Sequence, residues 1–141
     1  MANKKIILTL DTETADLSGN VYDVGYIIHD KDGNIFATYN ALVEEIFTDA
    51  KKMMGSFYAK KLFTHYAPML DRGKVSIIAW SDIVDQLRSD IKEFGVNVIS
   101  AYNIGFDMRA MNNTHRALTD ENKVLEKPCK ILDIWQFACE V

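Results

Sequence analysis

With 141 residues, 48% of them apolar and 26% charged, the chain has the length and balance of one globular domain with a real core. Its longest apolar runs, Ile6–Leu8 and Ile77–Trp80, are far too short to span a bilayer. The opening MANKKIILTLDTET reaches Thr9 and Asp11 too early for a signal peptide, so no membrane partner is expected. A net charge of −4 argues against a uniformly basic nucleic-acid binder.

In chain order, Lys5–Asp11 (KIILTLD) predicts a buried strand from its β-branched and leucine content. Val21–Asp30 predicts a second strand, DKDGN an Asp-Gly turn and Ile35–Val43 a third strand, so residues 21–43 form a hairpin. From Glu44 to about Tyr66, Ile46, Met53, Met54, Phe57 and Phe63 recur at helical spacing, interrupted near Gly55. Pro68 to Lys74 is a connection. Ser81 is expected to cap an amphipathic helix whose stripe of Ile83, Val84, Leu87, Ile91 and Phe94 stops at Gly95. Val96–Ala101 predicts a short buried strand, Phe106 to about Leu118 a helix, and Lys130–Asp133 a fifth strand after Pro128. IWQFACEV begins a last helix. This order predicts an α/β domain: a mixed five-stranded open sheet, an antiparallel hairpin plus parallel strands, with helices on its faces.

Charge is uneven along this framework. Between Lys51 and Lys74 lie six lysine or arginine residues and one aspartate, so the acidic excess falls elsewhere. That separation suits an acidic site beside a basic approach surface, although lysines also simply solvate helix faces. The aromatic residues Phe57, Tyr58, Phe63 and Tyr66, with His65, could stack on a single strand or belong to the core. Cys129 and Cys139 have no CxxC partner and are expected as buried thiols in a reducing compartment, hence the cytoplasm.

Two stretches carry candidate chemistry. In LTLDTET, Asp11 and Glu13 stand two apart at the expected end of a strand, so both side chains leave one face. Neighbouring carboxylates repel unless a cation lies between them, an arrangement that suits Mg²⁺ or Mn²⁺, although a lone D-x-E is more often a solvated strand end. In ISAYNIGFD the chain leaves a strand at Ala101, turns through Asn103 and Gly105, and opens a helix with Asp107 near its first turn. An acid there is favoured by the helix dipole alone. If the first and fourth predicted strands are neighbours, however, Asp107 faces Asp11 and Glu13 outside the strand ends, where ligand sites form.

DTET after an apolar strand, the VYDVGYIIHDKDG hairpin, and AYNIGFD some 95 residues on together resemble the first two motifs of the DEDD (DnaQ-like) superfamily of 3′–5′ exonucleases. The resemblance runs from about Lys5 to Ile134, and KILDIWQFA is similar to that family's fifth strand and following helix. It implies a ribonuclease-H-like fold and a metal-dependent 3′–5′ exonuclease. Such an enzyme hydrolyses phosphodiester bonds from the 3′ end of single-stranded nucleic acid, DNA in preference to RNA, with two Mg²⁺ or Mn²⁺ ions. It implies that Asp11 bridges both ions, Glu13 completes the first site, and Asp107 binds a metal directly or through water. Asn103 and Phe106 match N-x-x-F-D beside the terminal nucleotide, and Thr14 and Leu17 match positions that cradle it. Where the family usually has threonine and glycine, this chain has Ala15 and Asp16. A polymerase or replication protein is the implied class of partner; oligomeric state is not implied.

The family's third motif supplies a histidine general base and a last aspartate as H-x-A-x-x-D, and residues 115–120, HRALTD, match it. Spacing argues against His115 and Asp120 in those roles, because the family places this motif after the fifth strand. On one helix Asp120 would lie about 20 Å from Asp107. The expectation is therefore a single exonuclease-type domain over residues 1–141, truncated before the third motif. The alternatives are a non-catalytic nucleic-acid-binding or polymerase-associated module, or an oligoribonuclease-like RNA exonuclease.

Overall fold

The structure, a computed structural model, describes residues 4–56, 59–127 and 129–135. The expectations for Phe57, Tyr58, Pro128, Cys139 and most of the final helix lie outside these residues, as does the side chain of Phe63. Six strands form one sheet: β1 (Ile6–Asp16), β2 (Gly19–Asp30), β3 (Ile35–Val43), β4 (Ile77–Ile78), β5 (Val98–Ala101) and β6 (Lys130–Asp133), in the order β4-β3-β2-β1-β5-β6. β1, β2 and β3 are antiparallel neighbours, while β5 runs parallel to β1 and β6 parallel to β5. The fold class follows the sequence reading with one strand added. β4 is only two residues long, too short for periodicity to reveal, and pairs parallel with Leu42 and Val43 at the sheet edge.

β1 is longer than its apolar run suggested. It continues through Asp11 and Glu13 to Asp16 because β2 pairs with it along its whole length, Ile6 opposite Asp30 and Asp16 opposite Gly19. Asp11 and Glu13 therefore lie within a strand. The edge that matters belongs to β5, whose pairing with β1 is confined to Ile7–Thr9. Leu8, Leu10, Val24, Tyr26 and Ile28 turn one face of the sheet into the core. That face packs against two long helices, α4 (Trp80–Phe94) and α5 (Ile104–Leu118). In α4, Ile83, Val84 and Leu87 are buried, while Ile91 and Phe94 lie against the core. Gly95 then ends the helix in the left-handed region at φ 66°, letting the Val96 N–H return to the Ile91 carbonyl at 2.9 Å.

Two expectations about helix ends and continuity are corrected. Ser81 does not cap α4; the preceding Ala79 occupies that place with no side-chain bond. The first free N–H, that of Trp80, is instead accepted at 2.9 Å by the Glu45 carboxylate of α1 (Glu44–Phe47). This is a cap delivered across the fold, which local sequence does not announce. Glu45→Ala should lower the unfolding free energy by about 1 kcal/mol, the usual cost of a lost N-cap, measurable by urea denaturation. An unchanged midpoint would mean that water replaces the carboxylate without loss.

The expected helix from Glu44 to Tyr66 is a chain of short pieces. α1 is followed by α2 (Ala50–Met54), a wide π-helical turn at Leu62–Tyr66, and α3 (Ala67–Asp71). Asp49 starts α2 afresh by accepting the Lys52 N–H at 3.1 Å. Pro68 sits in the first turn of α3, where its missing N–H costs nothing, so part of the expected connection is helical. Ile46 and Met53 are buried as their spacing suggested, but Met54 is exposed. None of the helices among the described residues is long and apolar enough to cross a membrane.

Candidate active site

Alternation along β1 and β2 sets the site. Thr9, Asp11 and Glu13 share the face of β1 opposite the core, and their partners across the antiparallel ladder are Ile27, Gly25 and Asp23. Asn40 and Thr38 of β3 continue this surface beyond Gly25 and Ile27. The result is the floor of a cleft of about 520 Å³, walled by Lys61, His65 and Tyr66 from the π-helical turn and the residue before it. Opposite Asp11 stands a glycine, so no side chain from β2 covers that carboxylate.

Glu13 and Asp23 form a directly opposed pair of like charge, an arrangement that costs stability in a sheet. Burial pushes the Glu13 carboxyl above its ordinary value; Lys61 draws it down, and Asp11, Asp23 and Asp107 add to the rise. Asp23 is also raised, first by burial and then by Asp11, against the hydrogen bond from the Tyr66 hydroxyl at 2.9 Å and the charges of His65 and Lys61. Asp23 was not singled out from sequence, while Lys61 and His65 were read only as members of the basic, aromatic segment 51–74. The signal for Asp23 was present in VYDVGYIIHD: it is the charged member of the outward set Asp23, Gly25, Ile27, His29, at alternate positions to buried Tyr22, Val24, Tyr26 and Ile28.

The structure places Asp107 in the first turn of α5, as expected. It is buried, and its Oδ1 accepts both the Thr12 N–H at 3.2 Å and the Thr12 hydroxyl at 2.6 Å. Burial raises its pKa, the Thr12 bonds oppose that, and Asp11 adds to the rise. Asp107 thus feels the acids of β1 but does not line the cleft. As a donor set, Asp11, Glu13 and Asp107 suit a hard divalent cation, and the crowding that raises Glu13 is the kind a cation relieves. Among the described residues, no three histidine, cysteine or acidic side chains already converge to hold one. Asp107 is held through its Oδ1 by Thr12.

This crowding has a consequence for stability. Because Glu13 holds its proton more tightly folded than unfolded, its contribution is favourable below its ordinary value of 4.5 and is lost as pH rises through the raised folded value. Asp23 and Asp107 act in the same direction from 3.8 upward. Glu13→Gln should therefore melt higher than the parent at pH 7.5, with the gap closing below pH 4.5, and should respond less to added Mg²⁺. A variant that melts lower at neutral pH would contradict this account.

The remaining candidates are dispersed. β1 and β2 join through Leu17 and Ser18, and Asp16 builds the turn by accepting from Ser18 N, Ser18 Oγ and Gly19 N at 2.9, 2.7 and 3.0 Å. This gives Asp16, where the family usually has glycine, a structural task. The chain also packs tightly here: a Cβ on Gly19 would sit 3.1 Å from that of Asn113 in α5. Leu17 projects from the hairpin tip, 70% exposed, and neither it nor Thr14 lines the cleft. Asn103 takes the left-handed conformation at φ 59° between β5 and α5, its N–H held at 2.9 Å by Asp133 of β6. Phe106 lies under the Arg109 guanidinium, 5.7 Å from the ring centroid.

His115 lies two turns beyond Asp107 on α5, about 12 Å along the axis, and is 2% exposed. Its Nδ1 accepts the indole N–H of Trp80 at 3.0 Å. Since indole only donates, the neutral ring carries its proton on Nε2, which faces Glu121 Oε1 at 3.4 Å. Asp120 is exposed just past the helix. HRALTD is thus not brought to the cleft; its histidine is a core residue.

A mixed sheet of this order is the ribonuclease-H-like fold, found in exonucleases. Two solved structures illustrate the likeness. Exonuclease X in complex with 5′ overhanging duplex DNA matches with a TM-score of 0.51 and 18% identity over 95% of this chain. E. coli Exonuclease I in complex with a 5cy-dA13 oligonucleotide matches with a TM-score of 0.57 and 14% identity over 96%. The chain spans 63% of the length of the first and 29% of the second. No protein-family model matches the chain, and no curated protein matches it by sequence.

Proposed function

We propose that the chain is a metal-dependent 3′–5′ exonuclease of the DEDD type, acting on single-stranded nucleic acid with DNA preferred. The observation that supports this reading is the placing of Asp11 and Glu13 on one face of β1, with Asp23 opposite Glu13, on the floor of a cleft in a fold shared with exonucleases. Asp11, Glu13 and Asp107 would hold Mg²⁺ or Mn²⁺, which when bound lowers the pKa of a water and offsets charge on the leaving oxygen. The chain's own residues supply position. Thr12 fixes the Asp107 carboxylate, Tyr66 fixes Asp23, and Asp133 fixes the Asn103 turn from which α5 presents Asp107.

The test is digestion of a 5′-labelled single strand with Mn²⁺ or Mg²⁺, in DNA and RNA versions. The expected result is a ladder shortening from the 3′ end, faster for DNA. Binding without digestion of either strand would replace the proposal with a nucleic-acid-binding module.

A further inference from the structure

The basic segment between Lys51 and Lys74 leaves a question that the proposed reaction does not absorb. Five of its six cations, Lys51, Lys52, Lys60, Arg72 and Lys74, are exposed. Lys61 is half-buried and lines the cleft, and His65, one turn further on, lines the same wall. The floor beneath them carries Asp11, Glu13 and Asp23, and the Lys61 charge acts on both Glu13 and Asp23.

A phosphodiester entering such a cleft is itself an anion and is repelled by the floor. Cations fixed on the facing wall offset that repulsion and orient the strand. The wall is also anchored. Tyr66, between His65 and α3, is 3% exposed and packs edge-on against Tyr22 and Phe47, with its hydroxyl on Asp23. Lys61 and His65 are thereby carried by a segment pinned to the sheet.

We propose that Lys61 and His65 form a phosphate-holding wall for a single strand, contacting its backbone opposite the carboxylate floor. Lys61 contributes a compact ammonium donor, and His65 donates a ring N–H in either neutral tautomer or when charged. The other lysines of the segment are a diffuse surface with no place in the cleft. The inference rests on the proposed function for its substrate class, but its test reads binding alone.

The experiment measures anisotropy of a 5′-fluorescein-labelled (dT)₁₀ in EDTA, where no digestion occurs, across a salt series. Lys61→Gln and His65→Gln should each weaken binding about tenfold, as for a lost hydrogen bond to a charged group. The log–log salt slope should fall by about 0.7 for the lysine variant. Lys61→Arg should restore binding, and Lys60→Gln, next door but outside the cleft, should stay within about twofold of the parent, as expected of one screened surface charge. Melting curves establish that each variant is folded. Equal effects at Lys60 and Lys61, or none at Lys61, would overturn the wall even if the chain digests DNA. Parent binding that needs Lys61 without any digestion would uphold the wall and sink the exonuclease reading. A parent that fails to bind the strand at low salt would overturn the wall, while the exonuclease reading stands or falls on the digestion assay with metal.

Discussion

Asp11→Ala should reduce metal-supported digestion of a single strand about a thousandfold, because a bound ion supplies several kcal/mol of transition-state stabilisation and each 1.36 kcal/mol is tenfold. Asp11 is the cleanest place to test the proposed site. Its side chain is exposed, faces a glycine across the ladder, and carries no packing that alanine would lose. Its removal also relieves Glu13, whose carboxyl it helps to push up, so the variant should melt no lower than the parent at neutral pH. Asp107 is a poorer probe, since its carboxylate also satisfies the Thr12 N–H and hydroxyl, and losing it would mix stability with activity. Initial rates at saturating Mn²⁺, beside a melting curve, make the measurement. A rate within tenfold of the parent would remove Asp11 from the machinery.

His115→Ala should do the opposite, costing stability and sparing chemistry. The imidazole is 2% exposed and accepts the indole N–H of Trp80, itself fully buried. Truncation opens a cavity between α4 and α5 and strands a buried donor, together about 3–4 kcal/mol. Urea denaturation measures that loss. Digestion assayed well below the variant's melting temperature should match the parent. A general base would behave differently: its removal lowers turnover by about 10²–10⁴ in a protein that remains folded. Such a drop, with stability intact, would return HRALTD to the active site.

Much of the fold was legible because burial imposes period. Leu8 and Leu10, the alternating Tyr22, Val24, Tyr26 and Ile28, and the Ile83–Leu87 stripe each announced their element and the face it buries. The neighbour relation of β1 and β5, and with it the approach of AYNIGFD to DTET, also followed from element order. The segment from Glu44 to Asp71 was not legible, since its apolar residues keep helical spacing while Asp49 and Pro68 restart the chain in short pieces. The Glu45 cap on Trp80 could not be read either, because cap and helix are 35 residues apart.

For the site, the sequence by itself placed Asp11 and Glu13 on one face of β1 and Asp107 in the first turn of α5, because strand alternation and the strand–helix turn are local geometry. Only the tertiary structure decided the rest. It set Asp23 opposite Glu13 by ladder register, turned Asp107 onto Thr12, and chose Lys61 and His65 as the cleft wall. It also took His115 into the core, where a motif-like string serves packing. The physical reason is the same in each case. Residue type fixes what a side chain can donate, accept or bury, but the partner that satisfies it comes from a distant segment whose position is set by the whole sheet.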